Sequence, residues 1–141
     1  MPWTLCLALW PGVASAQTAL WEKHTAAGVK AYQERRYAEA ERSFQAALEA
    51  AQRLGSQDRR LVTSLSSLAE LYSLQGQYAQ AEPLLKQALA IREQALGPEH
   101  PDVARSLEHY SALLRKMNRA AEATEMEARG DAIWVKHARE R

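Results

Sequence analysis

The chain has 141 residues, enough for one small domain, and 47% of them are hydrophobic while 25% are charged. Its 18 basic and 17 acidic residues leave a formal net charge of +1, which excludes the strong positive charge needed to bind nucleic acid or an anionic membrane. Good helix formers dominate, and the 6 glycines and 5 prolines fall mostly at segment ends. This composition predicts an all-α domain.

The N-terminal segment differs in composition from the rest of the chain. Residues 3–13 are almost all apolar, about the length of a signal-peptide hydrophobic region and too short to span a membrane. Residues 14–16 read Ala-Ser-Ala, which is typical of a cleavage site, although no lysine or arginine precedes the apolar run. We therefore expect residues 1–16 to be a signal peptide cleaved after Ala16. The mature domain, residues 17–141, is then periplasmic or secreted, without stable membrane insertion; a buried N-terminal helix and an uncleaved anchor are the alternatives.

Three stretches of the chain are similar to one another at spacings of 41 and 42 residues. Small side chains recur at equivalent positions in all three, as Gly28, Ala69 and Ser111 show. Self-similarity at a fixed period indicates a repeat protein, and small residues at fixed positions indicate a close approach of two helices. We predict repeats at about residues 20–56, 57–98 and 99–138.

Each repeat is predicted to contain two amphipathic helices. In the second repeat, apolar residues follow three-four spacing through residues 61–72, and Gly76 ends that helix. Asp58 is a predicted N-cap, and Pro101 suits the first position of the fifth helix. Pro83 conflicts with the fourth helix, but the apolar period runs through it unbroken. The predicted helices span about residues 18–35, 37–54, 58–75, 77–96, 101–117 and 119–138.

The second repeat and its linker carry a recognisable motif. Residues 71–89 read Leu-Tyr-x-x-Gln-Gly-x-Tyr-x-x-Ala-Glu-Pro-Leu-Leu-x-x-Ala-Leu, and residues 96–104 read Leu-Gly-Pro-Glu-His-Pro-Asp-Val-Ala. This pattern resembles the tetratricopeptide repeat, in the long variety of roughly 42 residues found in kinesin light chains and many bacterial proteins. The resemblance covers about residues 20–138. It implies a right-handed α-solenoid of three helix-turn-helix repeats with six helices.

The last repeat departs from the other two on one side of its second helix. Glu127 and Asp131 stand at positions where the earlier repeats have apolar residues: Phe44, Leu85, Leu48 and Leu89. A terminal repeat needs a polar outer face because nothing stacks on it, so the array is expected to be complete at three repeats. Met126, Ile133 and Trp134 supply an inward stripe, and close packing explains Gly130.

Residue patterns that carry catalysis or bind metal are missing from the sequence. None of the four histidines has the spacing of a metal site: His24, His100, His109 and His137. The one cysteine, Cys6, lies in the expected signal peptide, so the mature domain has no disulfide and no thiolate ligand. We predict no catalytic residue, no cofactor and no metal, and the chain is not expected to be an enzyme. Trp21 and Trp134 are expected to pack in the core, with anchoring of a partner as the alternative.

The resemblance implies that the first helix of each repeat lines a concave groove that binds a partner. Carried over by repeat position, the groove residues are Glu22, Thr25, Val29, Tyr32, Thr63, Ser66, Glu70, Ser73, Arg105, Glu108, Ala112 and Arg115. This mixture of charges suits an extended peptide that carries both signs. We therefore expect an exported adaptor that binds a peptide or partner protein. The alternative is a self-associating scaffold, a homo-oligomer without a groove ligand.

Overall fold

The computed structural model describes residues 11–141, of which six α-helices make up most. In chain order the helices are α1 (Pro11–Gln33), α2 (Tyr37–Gln52), α3 (Arg59–Leu74), α4 (Tyr78–Leu96), α5 (Pro101–Lys116) and α6 (Ala120–Arg139). No strand occurs among the described residues. The prediction of an all-α fold with six helices is therefore confirmed. Among residues 11–141, no helix combines the length and apolar character that a membrane-spanning segment needs.

The start of α1 is the one helix boundary that was predicted wrongly. The chain is already helical at Pro11, the first described residue, rather than from near residue 18. The helix continues through the expected cleavage site at Ala16, whose side chain is exposed. The other helix ends differ from the predictions by at most two residues. Residues 1–10, most of the expected signal peptide, lie outside the described residues.

Side-chain caps hold the N-terminal ends of α3 and α5, and the predicted roles of Asp58 and Pro101 there are confirmed. The carboxylate of Asp58 accepts a hydrogen bond from the backbone N–H of Arg60 at 2.9 Å. The side chain of Arg60 also donates to Asp58, and these bonds hold the pKa of Asp58 below its usual value. In α5, Pro101 follows His100, whose Nδ1 accepts the N–H of Asp102 at 3.1 Å. Both caps satisfy a backbone donor that the helix itself leaves unpaired.

Within each repeat, the first helix ends with the same backbone turn. Arg35, Gly76 and Asn118 stand at equivalent repeat positions and have φ angles of 60°, 76° and 59°. In each turn the backbone N–H that follows bonds to a carbonyl five residues earlier, as in a Schellman motif: Arg36 to Ala31, Gln77 to Tyr72 and Arg119 to Leu114. The prediction that Gly76 ends its helix is confirmed, and the same stop is made by an arginine and an asparagine in the other repeats.

Pro83 lies inside α4, which runs unbroken from Tyr78 to Leu96. The expectation that the helix persists through the proline is confirmed. Gly97, with a φ of 87°, follows the last residue of α4. Glycine reaches this left-handed region without the steric cost that a side chain brings, so it provides the stop before the linker to α5.

The described residues form two compact units, and the division between them falls in the chain between Leu71 and Tyr72 of α3. In the first unit α1 packs along α2. Gly28 is buried against the ring of Phe44, and a Cβ at this position would lie only 2.5 Å from that ring. Close helix approach at this small residue is therefore confirmed.

In the second unit, α5 packs against both α4 and α6, around buried Val103, Leu107 and Leu114. Ile133 of α6 is buried as predicted, while Met126 and Trp134 are half-buried. Gly130 is also buried, but a Cβ there would make ordinary contacts at 3.7 Å or more. The helices are close enough to bury a small residue at this position, yet an alanine would fit.

Candidate partner-binding surfaces

The twelve residues predicted to line a groove all lie on α1, α3 and α5, and none of them is buried. Seven belong to the first compact unit and form what we call the first-unit surface: Glu22, Thr25, Val29, Tyr32, Thr63, Ser66 and Glu70. Five belong to the second unit and form the second-unit surface: Ser73, Arg105, Glu108, Ala112 and Arg115. The two surfaces differ in how many of their side chains are engaged in contacts with other helices of the chain.

The first-unit surface is built around Tyr32. Its ring meets that of Tyr37 edge to face, with the centroids 6.1 Å apart. Partial burial, the nearby carboxylate of Glu70 and Tyr37 together raise the pKa of Tyr32 above its usual value. The structure therefore brings together Tyr32 and Glu70, two predicted surface residues from different helices. Val29, with 42% of its area exposed, adds an apolar contact point on the same helix as Tyr32.

Two hydrogen bonds fasten α1 to α3 within the first unit. The indole N–H of Trp21 donates to the hydroxyl of Ser64 at 2.8 Å, and Arg60 donates to the hydroxyl of Thr18, also at 2.8 Å. Trp21 is therefore engaged inside the unit, but it is half-buried and lies outside the fully buried core in which it was expected to pack. These bonds hold in position the two helices that carry the first-unit surface.

The second-unit surface has side chains that are paired to α6. Arg115 donates two hydrogen bonds to Glu127, at 2.6 Å and 2.5 Å, and these lower the pKa of Glu127 below its usual value. Glu108 accepts a hydrogen bond from the indole N–H of Trp134 at 2.7 Å. Ser73 accepts a hydrogen bond from Lys116 of α5 at 3.2 Å. A ligand of this surface must compete with these intramolecular partners.

Sequence reasoning missed these pairs. The α5–α6 hairpin is antiparallel, but Arg115 with Glu127, and Glu108 with Trp134, are both symmetric about residue 121 rather than about the turn at Asn118. Counting outward from the predicted turn would therefore not have matched them, because the offset depends on how the two helices pack.

A second cluster that the sequence did not reveal surrounds Glu82. Its carboxylate accepts the hydroxyl of Tyr110 at 2.9 Å and the guanidinium of Arg119 at 2.8 Å. Burial alone would raise the pKa of Glu82, but these hydrogen bonds outweigh it and lower the pKa. The cluster links α4 to α5 and to the start of α6, so it holds the second unit together.

Chemistry-bearing residues are dispersed over the described part of the chain. Between residues 11 and 141, no three His, Cys, Asp or Glu side chains are placed to hold a metal ion together. His100 acts as a helix cap, through its Nδ1 atom. His137 lies edge to face against Trp134, with the ring centroids 6.5 Å apart.

Helical hairpins repeated at a fixed spacing, with accessible side chains on their first helices, define a helical-repeat protein. The sequence model of the tetratricopeptide repeat matches residues 17–94 and, in an overlapping second match, residues 60–130. The chain belongs to the tetratricopeptide repeat family, whose members generally mediate protein–protein interactions and are typically not enzymes.

Solved structures show the same fold. The chain is similar to the crystal structure of BtubC (BKLC) from P. vanneervenii, a kinesin-light-chain-like bacterial tetratricopeptide repeat protein, with a TM-score of 0.72 and 24% sequence identity. The match covers 94% of this chain and 50% of that one, so this chain spans half the length of that structure. It supports the predicted solenoid class and the long, kinesin-light-chain-like repeat. No curated protein matches the chain.

Proposed function

We propose that the chain is an exported, non-enzymatic adaptor that binds a peptide or partner protein through its first-unit and second-unit surfaces. The family supports the general role, since tetratricopeptide repeats mediate protein–protein interactions. The observation that carries the proposal is that none of the twelve surface residues is fully buried, although they lie on helices that are otherwise closely packed. Leu65 and Leu107, for example, are at most 1% exposed, so the core-facing positions of these helices are different from those of the twelve surface residues.

The charges of the two surfaces indicate what each would bind. The first-unit surface has Glu22 and Glu70 and no basic residue, so it suits a basic or polar segment. The second-unit surface has Arg105 and Arg115 against Glu108, so it suits an acidic segment. A partner with both signs of charge would satisfy both surfaces, and its affinity would come from several individually weak contacts.

Export is the second part of the proposal. It rests on the apolar segment of residues 3–13 and on the Ala-Ser-Ala pattern of residues 14–16. The side chains of residues 14–16 are exposed on α1, so a peptidase that unwound this turn would not have to open a packed core. Mass spectrometry of the protein isolated from the cell envelope or the medium would test this. We expect a mature chain that begins at Gln17; a chain retaining residues 1–16 in the cytoplasm would contradict export.

A selected peptide tests the binding role directly. Random peptides displayed on phage would be selected on the full chain, and the affinity of a selected peptide would be measured by fluorescence anisotropy. We expect Tyr32→Ala to weaken binding about tenfold or more, because a half-buried aromatic residue is a typical anchor. Arg42→Glu, a charge reversal at an exposed position on α2, is the matched control and should leave binding unchanged. Peptides that bind the Tyr32→Ala and wild-type chains equally well would contradict the proposed surface.

A further inference from the structure

One face of α1 is exposed at positions where the corresponding helices of the later repeats are buried. In α3 and α5 these positions are at most 6% exposed, and they are occupied by Leu61, Ser64, Leu68, Leu71, Val103, Ser106, Tyr110 and Leu113. The equivalent residues of α1, which we call the α1 face, are Leu20, Lys23, Ala27 and Lys30, and all four are exposed. Leu20, at 39% exposed, stands at the position of fully buried Val103.

In the second unit, the equivalent positions of α5 are covered by α4. The stripe of α5 packs against α4, where Ser106 accepts a hydrogen bond from Arg92 at 2.8 Å. Tyr110 donates to Glu82 at 2.9 Å on the same side. The face of α4 that receives α5 therefore runs from Glu82 to Arg92, and Leu85 and Leu89 are buried along it.

The equivalent face of α6 carries the opposite charge to the α1 face. We call it the α6 face, and its residues are Thr124, Glu127, Asp131 and Trp134. Asp131 is exposed, and among residues 11–141 neither it nor Lys23 has an ion-pair partner. Next to this face, Trp134, His137 and Ala138 contribute to an open cleft.

We propose that the α1 face of one copy of this chain docks on the α6 face of a second copy, head to tail, in the way that α5 docks on α4. Transferring the α4–α5 register to this contact places Lys23, at the position of Ser106, opposite Trp134, which stands at the position of Arg92. Asp131 lies one helical turn before Trp134, within reach of a lysine side chain. Arg92 also contacts the backbone of Asp102 in the observed pair, at 3.3 Å. The same register therefore brings Ala19, at the position of Asp102, and the adjoining Leu20 near Trp134 and its cleft.

Charge complementarity selects a second copy as the occupant. Lys23 on one face lies within a helical turn of Asp131 on the other, while Leu20 and Trp134 supply apolar contact. None of the residues of the α1 face belongs to the first-unit surface, so this inference does not rest on the proposed function. A contact between two different faces leaves one of each kind free on the resulting pair, so it produces growing chains or a ring rather than a closed symmetric dimer.

Sedimentation velocity of the full chain tests the contact. The weight-average mass should rise with concentration beyond that of a dimer, and it should fall as salt is raised from about 50 mM to about 500 mM, because the charges are screened. Lys23→Glu and Asp131→Lys should each weaken association about tenfold or more, since each places like charges together. The double variant, Lys23→Glu with Asp131→Lys, restores opposite charges and should recover association.

Matched controls and a folding check keep the outcome clear. Arg42→Glu and Glu49→Lys reverse exposed charges on α2, away from both faces, and should associate like the wild-type chain. Circular dichroism should show the same helix content in every variant, because the four residues are exposed. A wild-type chain that stays monomeric at all concentrations, a closed symmetric dimer, or a double variant that stays as weak as the single ones would each overturn the proposal.

Discussion

Arg115 and Glu127 lie side by side across the α5–α6 hairpin, and the guanidinium donates two hydrogen bonds to the carboxylate. Glu127 occupies a position where the earlier repeats have Phe44 and Leu85, and Arg115 is one of the residues predicted to contact a ligand. The same carboxylate thus gives the last repeat its polar character and neutralises a cation of the second-unit surface. An acidic ligand segment has to displace Glu127 to reach Arg115.

Removing that carboxylate charge should strengthen the binding of an acidic peptide. Glu127→Gln leaves Arg115 without its counter-ion, so a phage-selected acidic peptide should bind about two- to fivefold more tightly, the range expected for an exposed ion pair. Glu125→Gln, at an exposed position of α6, is the matched control. Equal affinities of the Glu127→Gln and wild-type chains would show that Arg115 is not part of the binding surface.

Arg35 holds a left-handed conformation that glycine adopts at the equivalent position. A side chain in this region costs about 1–2 kcal/mol, part of which glycine gives back through the greater freedom of its unfolded chain. Arg35→Gly should therefore raise the free energy of unfolding by about 0.5–1 kcal/mol, measured by chemical denaturation. Arg53→Gly is the control, since Arg53 has a φ of −76° and gains nothing from glycine. Equal effects of the two substitutions would contradict the assigned turn.

At Gly28 the structure leaves no room for a larger side chain. A methyl group there would lie 2.5 Å from Phe44, so Gly28→Ala should lower the free energy of unfolding by about 1–2 kcal/mol despite the better helix propensity of alanine. Phe44→Leu, combined with Gly28→Ala, should recover part of the loss, because the smaller side chain makes room for the methyl group. A stabilised Gly28→Ala single variant would show that α1 and α2 are not this close.

Gly130 is buried in the second unit and should respond in the opposite direction. Its added Cβ would meet only ordinary contacts at 3.7 Å and 3.8 Å, so Gly130→Ala should gain about 1 kcal/mol from helix propensity. Thermal unfolding would measure the gain. A lower melting temperature than that of the wild-type chain would mean that α5 and α6 pack more tightly at this point than the structure shows.

The Glu82 cluster makes the stability of the second unit depend on pH. A carboxyl whose pKa is lowered by folding adds stability above its usual pKa of 4.5, and this contribution disappears as the pH falls through the lowered value. Glu82→Gln should therefore be less stable than the wild-type chain at neutral pH, and the difference should shrink in acid. Denaturation from pH 7 to pH 2.5 would measure it (roughly the span in which an acid with a lowered pKa titrates). A difference that stays constant over that span would contradict the lowered pKa.

The sequence predicted the helices well because their apolar spacing and their glycine, proline and aspartate caps act locally. Gly76, Asp58 and Pro101 all have the predicted roles. The left-handed turns at Arg35 and Asn118 were missed, because neither residue type indicates a positive φ as clearly as glycine does. They follow only once the repeat alignment transfers the turn of Gly76 to its equivalents.

The surfaces were predictable only as a set of positions. Repeat spacing placed the twelve residues on accessible faces, but it did not reveal which of them have partners. Arg115, Glu108 and Ser73 are engaged because side chains on neighbouring helices reach them, and that depends on helix register rather than on local sequence. The start of α1 was misplaced for a different reason. The Ala-Ser-Ala cleavage motif of residues 14–16 led to a predicted start after it, although these residues form helix readily.

The proposed role is tested most directly by mapping where a selected peptide binds. Backbone amide shifts of the full chain, followed by NMR during a titration with a phage-selected peptide, would locate the contact. The largest changes should fall on exposed residues of α1, α3 and α5, with Tyr32 and Glu70 among them. Changes confined to the exposed faces of α2, α4 and α6 would contradict the assigned surfaces.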